Sequence, residues 1–219
     1  EEKSVGLTDK LSVKNSNIEN IDLGLVEKEE FDMSLNKSIL NLKLTYDGTE
    51  KEYNYNESKL VKVEIPAKKI DGASIEVEYQ LEIKNEGNAD GYVNEIVDYI
   101  PEGFTFDSSK NSGWTKKGTN MVIYNGISGI VIKTGESKKI ILYLTRSLTS
   151  NTIGTLTNKT EINKCISVNG TKDIDSTEGN KNESEDDFSQ AQVIISVKTG
   201  IVRNILIFII ILLVILFSV

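Results

Sequence analysis

The stretch Thr171–Ser189 reads TKDIDSTEGNKNESEDDFS, and Asp173, Asp175, Asn180, Glu183, Glu185, Asp186 and Asp187 fill it with hard oxygen donors. Ca²⁺ takes roughly six to eight such oxygens, from carboxylates, amides and backbone carbonyls. Asp173, Asp175, Asn180, Glu185, Asp186 and Asp187 are therefore the candidate calcium ligands. The spacing is not that of an EF-hand. Counted from Asp173, Gly179 falls at the seventh position rather than the sixth, and the twelfth is Ser184 rather than Glu. The competing reading is a solvated loop whose like charges hold it open.

Lys37 is the second residue that could do chemistry. It shares strand parity with Phe31, Met33, Leu35 and Ile39, which directs it toward the core. Such a Lys can be joined to an Asn by an isopeptide bond with help from a nearby carboxylate, a crosslink that would constrain the unfolded chain as a disulfide does. The plainer expectation is that Lys37 lies beyond the buried part of its strand and extends its amine to water. No partner for it is evident in the sequence.

Much other chemistry is excluded. The chain has no histidine, which removes the usual general base, the usual zinc ligand and any Ser-His-Asp arrangement. Its many Ser and Thr residues therefore lack an activating partner. One cysteine, Cys165, leaves no internal disulfide to form and reads as a small packed hydrophobe. Glu76 and Glu78 could serve as a carboxylate pair in a hydrolase, but they sit on the solvent side of a strand, where a charged row is ordinary. Trp114 and Tyr124 could form a ligand platform; a Trp between two sheets is the simpler role. Net charge is -8, without the basic face that nucleic acid requires, so no nucleic-acid partner is expected.

Short strands must position these residues. In Ala73–Lys84 the odd-numbered positions are apolar and the even-numbered ones polar, an unbroken period of two that marks a strand with one buried face. Further strands are predicted at Phe31–Ile39, Leu40–Tyr46, Leu60–Ile65, Tyr92–Ile100, Met121–Tyr124, Ile140–Leu144, Leu156–Val168 and Gln192–Val197. Turn residues separate them, among them Asp47-Gly48, Asp71-Gly72, Pro101-Glu102-Gly103 and Asn169-Gly170. No helical period precedes residue 200. The fold class is all-β: an antiparallel β-sandwich over 27–199, after a polar segment 1–26 that reads as a linker or the end of a preceding module.

Several stretches in order resemble a known module. Ile75–Ile83 runs into Lys84-Asn85-Glu86-Gly87; Asp98-Tyr99-Ile100-Pro101-Glu102-Gly103-Phe104 follows; then come Thr134-Gly135-Glu136-Ser137 and Leu156-Thr157-Asn158. This set is similar to the repeat domain of Gram-positive (Firmicutes) surface proteins known as domain of unknown function 11. The resemblance implies an immunoglobulin-like sandwich used as a stalk or adhesin repeat outside the cell, without catalysis. One departure is that Lys198-Thr199-Gly200 lacks the Leu-Pro of a wall-sorting signal.

The tail Ile201–Val219, IVRNILIFIIILLVILFSV, carries no charge after Asn204. Ile205–Val219 would span about 22 Å as a helix, against a hydrocarbon core of about 30 Å that takes about 20 residues. Segment 200–219 therefore reads as a single transmembrane helix continuing beyond Val219. The sequence as a whole predicts a non-enzymatic, single-pass protein of the cell membrane with its β-domain extracellular, holding distal modules away from the cell. The alternative is a module that binds a host or cell-envelope protein or glycan directly. No cofactor is certain, and Ca²⁺ is the candidate.

Overall fold

Residues 28–198 are described by the structure, a computed structural model. The alternating segments fold into two facing sheets. The first contains β1 (Met33–Tyr46), β2 (Thr49–Ser58), β4 (Ser74–Asn85), β6 (Phe104–Phe106) and β10 (Ser137–Ser147), in the order β2-β1-β4-β10-β6. The second contains β3 (Leu60–Pro66), β5 (Gly91–Tyr99), β7 (Trp114–Lys116), β8 (Met121–Tyr124), β11 (Gly154–Ser167) and β12 (Phe188–Lys198). Its order is β3-β12-β11-β5-β8-β7, with β9 (Val131–Ile132) also on β5. The architecture is an all-β sandwich of two sheets.

Period-two patterning explains the core. Ile75, Val77, Tyr79, Leu81 and Ile83 of β4 are all fully buried, while the intervening residues, Gln80 apart, are partly or well exposed. They meet Val93 and Ile96 of β5, Ile162 of β11 and Val193 and Ile195 of β12 in one cluster between the sheets. Non-directional burial of this kind contributes about 25 cal/mol per Å² of apolar surface and drives the two layers together.

Three expectations change. Phe31–Ile39 and Leu40–Tyr46 are largely one strand, β1, whose pairings with β2 and β4 both shift register between Ile39 and Asn41. One extra residue in a strand reverses the facing of all that follow. Odd positions Met33, Leu35, Lys37 and Ile39 are buried before the bulge, and even positions Leu42 and Leu44 after it. That reversal makes one strand look like two. Next, the sandwich is not wholly antiparallel, since β3 pairs with β12 in parallel, Val61 opposite Val193. Lastly, β2, β6, β7 and β9 carry too few apolar residues in alternation to be seen in the sequence. β2 (TEKEYNYNES) is a polar edge strand with no buried residue, and charge on an exposed edge discourages pairing with other chains.

The chain comes in at one pole and leaves at the other. Met33 pairs with Asn85, and the amide of Leu35 donates to the Asp186 carbonyl just before β12 begins. β1 and β12 thus start at the same end and run alongside each other; β12 finishes at Lys198, opposite Pro66. Its length, at roughly 3.3 Å per residue, is about 35 Å. Among the described residues no helix is long and apolar enough to cross a membrane. The transmembrane segment 200–219 and the linker 1–26 lie outside the described residues.

Candidate functional site

Lys37 does not reach water. Its side chain is fully buried between the sheets, and its ammonium donates to Asp98 Oδ2 and, at 2.6 Å, to Thr160 Oγ1. The expectation of an amine extended into solvent is corrected, because the bulge that reverses β1 lies beyond Lys37 and leaves it in the inward set. Asp98 comes from β5 and Thr160 from the directly paired position of β11. The Thr160 hydroxyl donates in turn to Asp98 Oδ2 at 2.5 Å. Asn158, two residues earlier on the same face of β11, donates Nδ2 to the other carboxylate oxygen, Asp98 Oδ1, at 2.8 Å. A weaker contact of 3.3 Å links the same nitrogen to the Tyr99 carbonyl. Asn158 Oδ1 is buried and accepts no hydrogen bond.

One carboxylate thus holds the Lys37 amine on one oxygen and the Asn158 amide nitrogen on the other. All four side chains are fully buried. The Tyr79 ring lies 4.6 Å from Lys37 Nζ. Burial pushes the Lys37 ammonium below its ordinary value, and Asp98 opposes that only in part. Removing a charge from water is expensive unless it is paired and hydrogen-bonded, so this arrangement is a costly feature of the core.

The acidic loop is closed rather than held open by its charges. The Glu161 carboxylate, on the face of β11 away from Thr160, accepts the Lys181 amide at 2.7 Å, and Glu178 accepts the amide of Cys165 at 2.6 Å. Glu185 takes hydrogen bonds from the Thr177 amide and from the side chains of Asn180 and Asn182, which hold its carboxyl below the usual range. Of the six predicted ligands, Asp173 and Asp175 are the two that join a cluster of three carboxylates among the described residues. Asp32 joins them from the segment before β1, with one oxygen from each carboxylate lying within 4.8 Å of the others. Asp173 accepts the amides of Met33 (2.8 Å) and Ser176 (3.1 Å). Asp186 instead accepts the Ser176 hydroxyl, and Asn180 turns its amide nitrogen to Glu185.

Charge crowding shows in the acidities. Burial, then Asp186, Asp175 and Asp173, pushes Asp32 up to about 6. Burial, then Glu161, Glu185, Asp173 and Asp186, pushes Asp187 up to about 7. Asp32 Oδ1 and Asp187 Oδ1 are both buried without a partner among the described residues. A divalent cation would satisfy oxygens of this type, so the residues present fit a hard metal ion.

The remaining candidates are structurally engaged. Lys110 pairs with Glu76, and Tyr143 donates to Glu78 at 2.9 Å. Trp114 is buried, and its Nε1 crosses to the Ile141 carbonyl of the opposite sheet at 2.8 Å. Cys165 is buried, and its thiol is pushed up by burial, which leaves little thiolate. Asp98, Asn158 and Asp32 are the residues that sequence reasoning missed. A usable signal existed for two of them: Asp98 shares parity with Ile96 and Ile100, and Asn158 with Ile162. Polar residues at inward positions on three strands are candidates to meet.

No family model matches the chain, and no curated protein matches it. Solved structures do resemble it. A CARDB domain from Pyrococcus furiosus, in solution, is 13% identical over 77% of this chain and 98% of that one, with a TM-score of 0.34. A crystal structure of that domain, in complex with di-metal ions, is 13% identical over 79% of this chain and 100% of its own, at the same TM-score of 0.34. An exo-β-N-acetylglucosaminidase from Vibrio harveyi is 12% identical over 78% of this chain but 19% of its own, with a TM-score of 0.24. At these scores the fold assignment rests on the two sheets of this chain.

Proposed function

We propose that this sandwich is a non-enzymatic, extracellular spacer in a membrane-anchored bacterial surface protein, joined in series between a preceding module and the apolar tail. The observation that carries this reading is the placement of the two ends of the described segment. Phe31 comes in at one pole, and Lys198 leaves at the other after β12 has run the length of the sheet. A module threaded in this way adds its long axis to the distance between its neighbours. Direct recognition of a host protein or glycan is less well supported, since Trp114, the aromatic best suited to a platform, is spent inside the core. The test is an epitope tag ahead of Glu1 on intact cells. Deleting 28–198 should bury the tag beneath the cell envelope, whereas equal antibody access without the sandwich contradicts a spacer.

A second element of the reading concerns metal. Asp32, Asp173 and Asp175 would hold Ca²⁺ where the incoming chain meets the loop, beside the Phe31–Asp173 bridge. The buried Asp32 oxygen without a partner favours it. Bound there, the ion would neutralise the crowded carboxylates and stiffen the joint to the preceding module. Added Ca²⁺ should raise the melting temperature of the chain, and the absence of any rise contradicts a calcium site.

A further inference from the structure

The geometry points to a covalent modification that this chain performs on itself: an isopeptide bond between Lys37 Nζ and Asn158 Cγ, with Asp98 as the catalytic acid and base. Three features converge on it. The amine and the amide share one carboxylate, with Nζ on Oδ2 and Nδ2 on Oδ1. The three side chains are excluded from water, so neither hydrolysis nor solvation competes. The Asn158 carbonyl oxygen has no partner, which leaves the amide free to turn as its carbon is attacked.

The step balances without any co-reactant. Lys37 passes a proton to Asp98 and becomes a neutral amine, the form that burial already favours. Its lone pair attacks Asn158 Cγ, forming the C–Nζ bond and placing charge on Oδ1. Asp98 shuttles a proton from the attacking nitrogen to Nδ2 of Asn158. The Cγ–Nδ2 bond then breaks, the carbonyl reforms and ammonia departs. The products are a secondary amide, free ammonia and a protonated Asp98, which carries the proton that Lys37 began with. Aminolysis of an amide is ordinarily slow. Fixed neighbours in a folded core gain effective molarities on the order of 10⁵ M or more, and a positioned acid–base group contributes a further 10²-fold or so.

The consequence is mechanical. Among the described residues β1 is the first strand and β11 the last but one, so the bond ties the incoming chain to the strand beside the outgoing one. Residues 38–157 would lie off the path along which tension passes. The bond does not depend on the spacer role and can be tested without it.

The test is the intact mass of the full chain, purified in detergent, followed by peptide mapping. The expected result is a mass short by one ammonia, with a branched peptide joining the Lys37 and Asn158 segments. Asp98→Asn keeps the shape of the carboxyl group but cannot relay the proton, and it should restore the missing ammonia. A full mass in the folded wild-type chain overturns the proposal. So does an ammonia deficit that maps to a succinimide at Asn169-Gly170, or a branched peptide that survives in Asp98→Asn. Lys37→Met provides a folded control in which no branch can form.

Discussion

Two clusters of charge in this sandwich share aspartate and face opposite fates. In the core, Lys37, Asp98 and Asn158 are sealed from water, and their charges are complementary. At the pole, Asp32, Asp173 and Asp175 are at most partly buried, and their charges are alike. The first cluster has no room for a ligand and every reason to react within itself. The second has no paired counter-charge among the described residues and is open to receive one. Burial and the sign of the neighbouring charge decide which chemistry the aspartate in each can support.

The contrast can be broken most forcefully at Asp98. Asp98→Ala should leave Lys37 as an unpaired buried cation and abolish the crosslink, with a loss on the order of 3–5 kcal/mol from the stranded charge alone. Chemical denaturation would measure it; a loss below about 1 kcal/mol would show that the cluster is not under the electrostatic demand described. Lys37→Met removes cation and crosslink together and fills the space with apolar atoms. Its expected loss is smaller, about 2–4 kcal/mol, typical of a crosslink that closes a long loop.

At the pole the effects should be weaker and of different sign. Asp32→Asn should leave the metal-free protein at least as stable, because it relieves repulsion, while erasing the rise in melting temperature with Ca²⁺. A variant that still responds fully to Ca²⁺ removes Asp32 from the site.

Proton linkage sharpens the same point. Asp32 and Asp187 have folded-state acidities raised to about 6 and about 7, from an ordinary 3.8. Between the ordinary and raised values the folded chain holds protons that the unfolded chain has lost, so stability falls as pH rises through 6 and 7. Melting temperature should therefore be higher at pH 5 than at pH 8 in the absence of metal, and Asp187→Asn should flatten the slope. A melting temperature that climbs across this window contradicts the crowding. The smallest effect belongs to the exposed pair Lys110–Glu76. Lys110→Ala should leave the melting curve unchanged within error, as is usual for ion pairs in water.

Much of this was legible from residues alone, and what was not has physical causes. The twelve positions Ala73–Lys84, which form most of β4, announce their facing because their odd-numbered side is apolar throughout. β1 hides its continuity, since a bulge reverses its parity midway and sequence periodicity has no memory across a bulge. The parallel pairing of β3 on β12 is a long-range choice that no local pattern encodes. Lys37 was visible as an inward polar residue, but Asp98 and Asn158 reach it from strands far along the chain, both in the opposite sheet. Asp32 was missed because the loop that supplies Asp173 and Asp175 lies on the other side of the sequence.

The claim that this module is a covalently closed spacer is tested most directly by pulling the full chain between its two ends in a single-molecule force measurement. Tension should release only the residues outside the crosslinked loop, so that the segment from 38 to 157 adds nothing to the extension, at up to about 3.5 Å per residue. Release of the entire sandwich, with the extension of the whole sequence from 28 to 198, would contradict it.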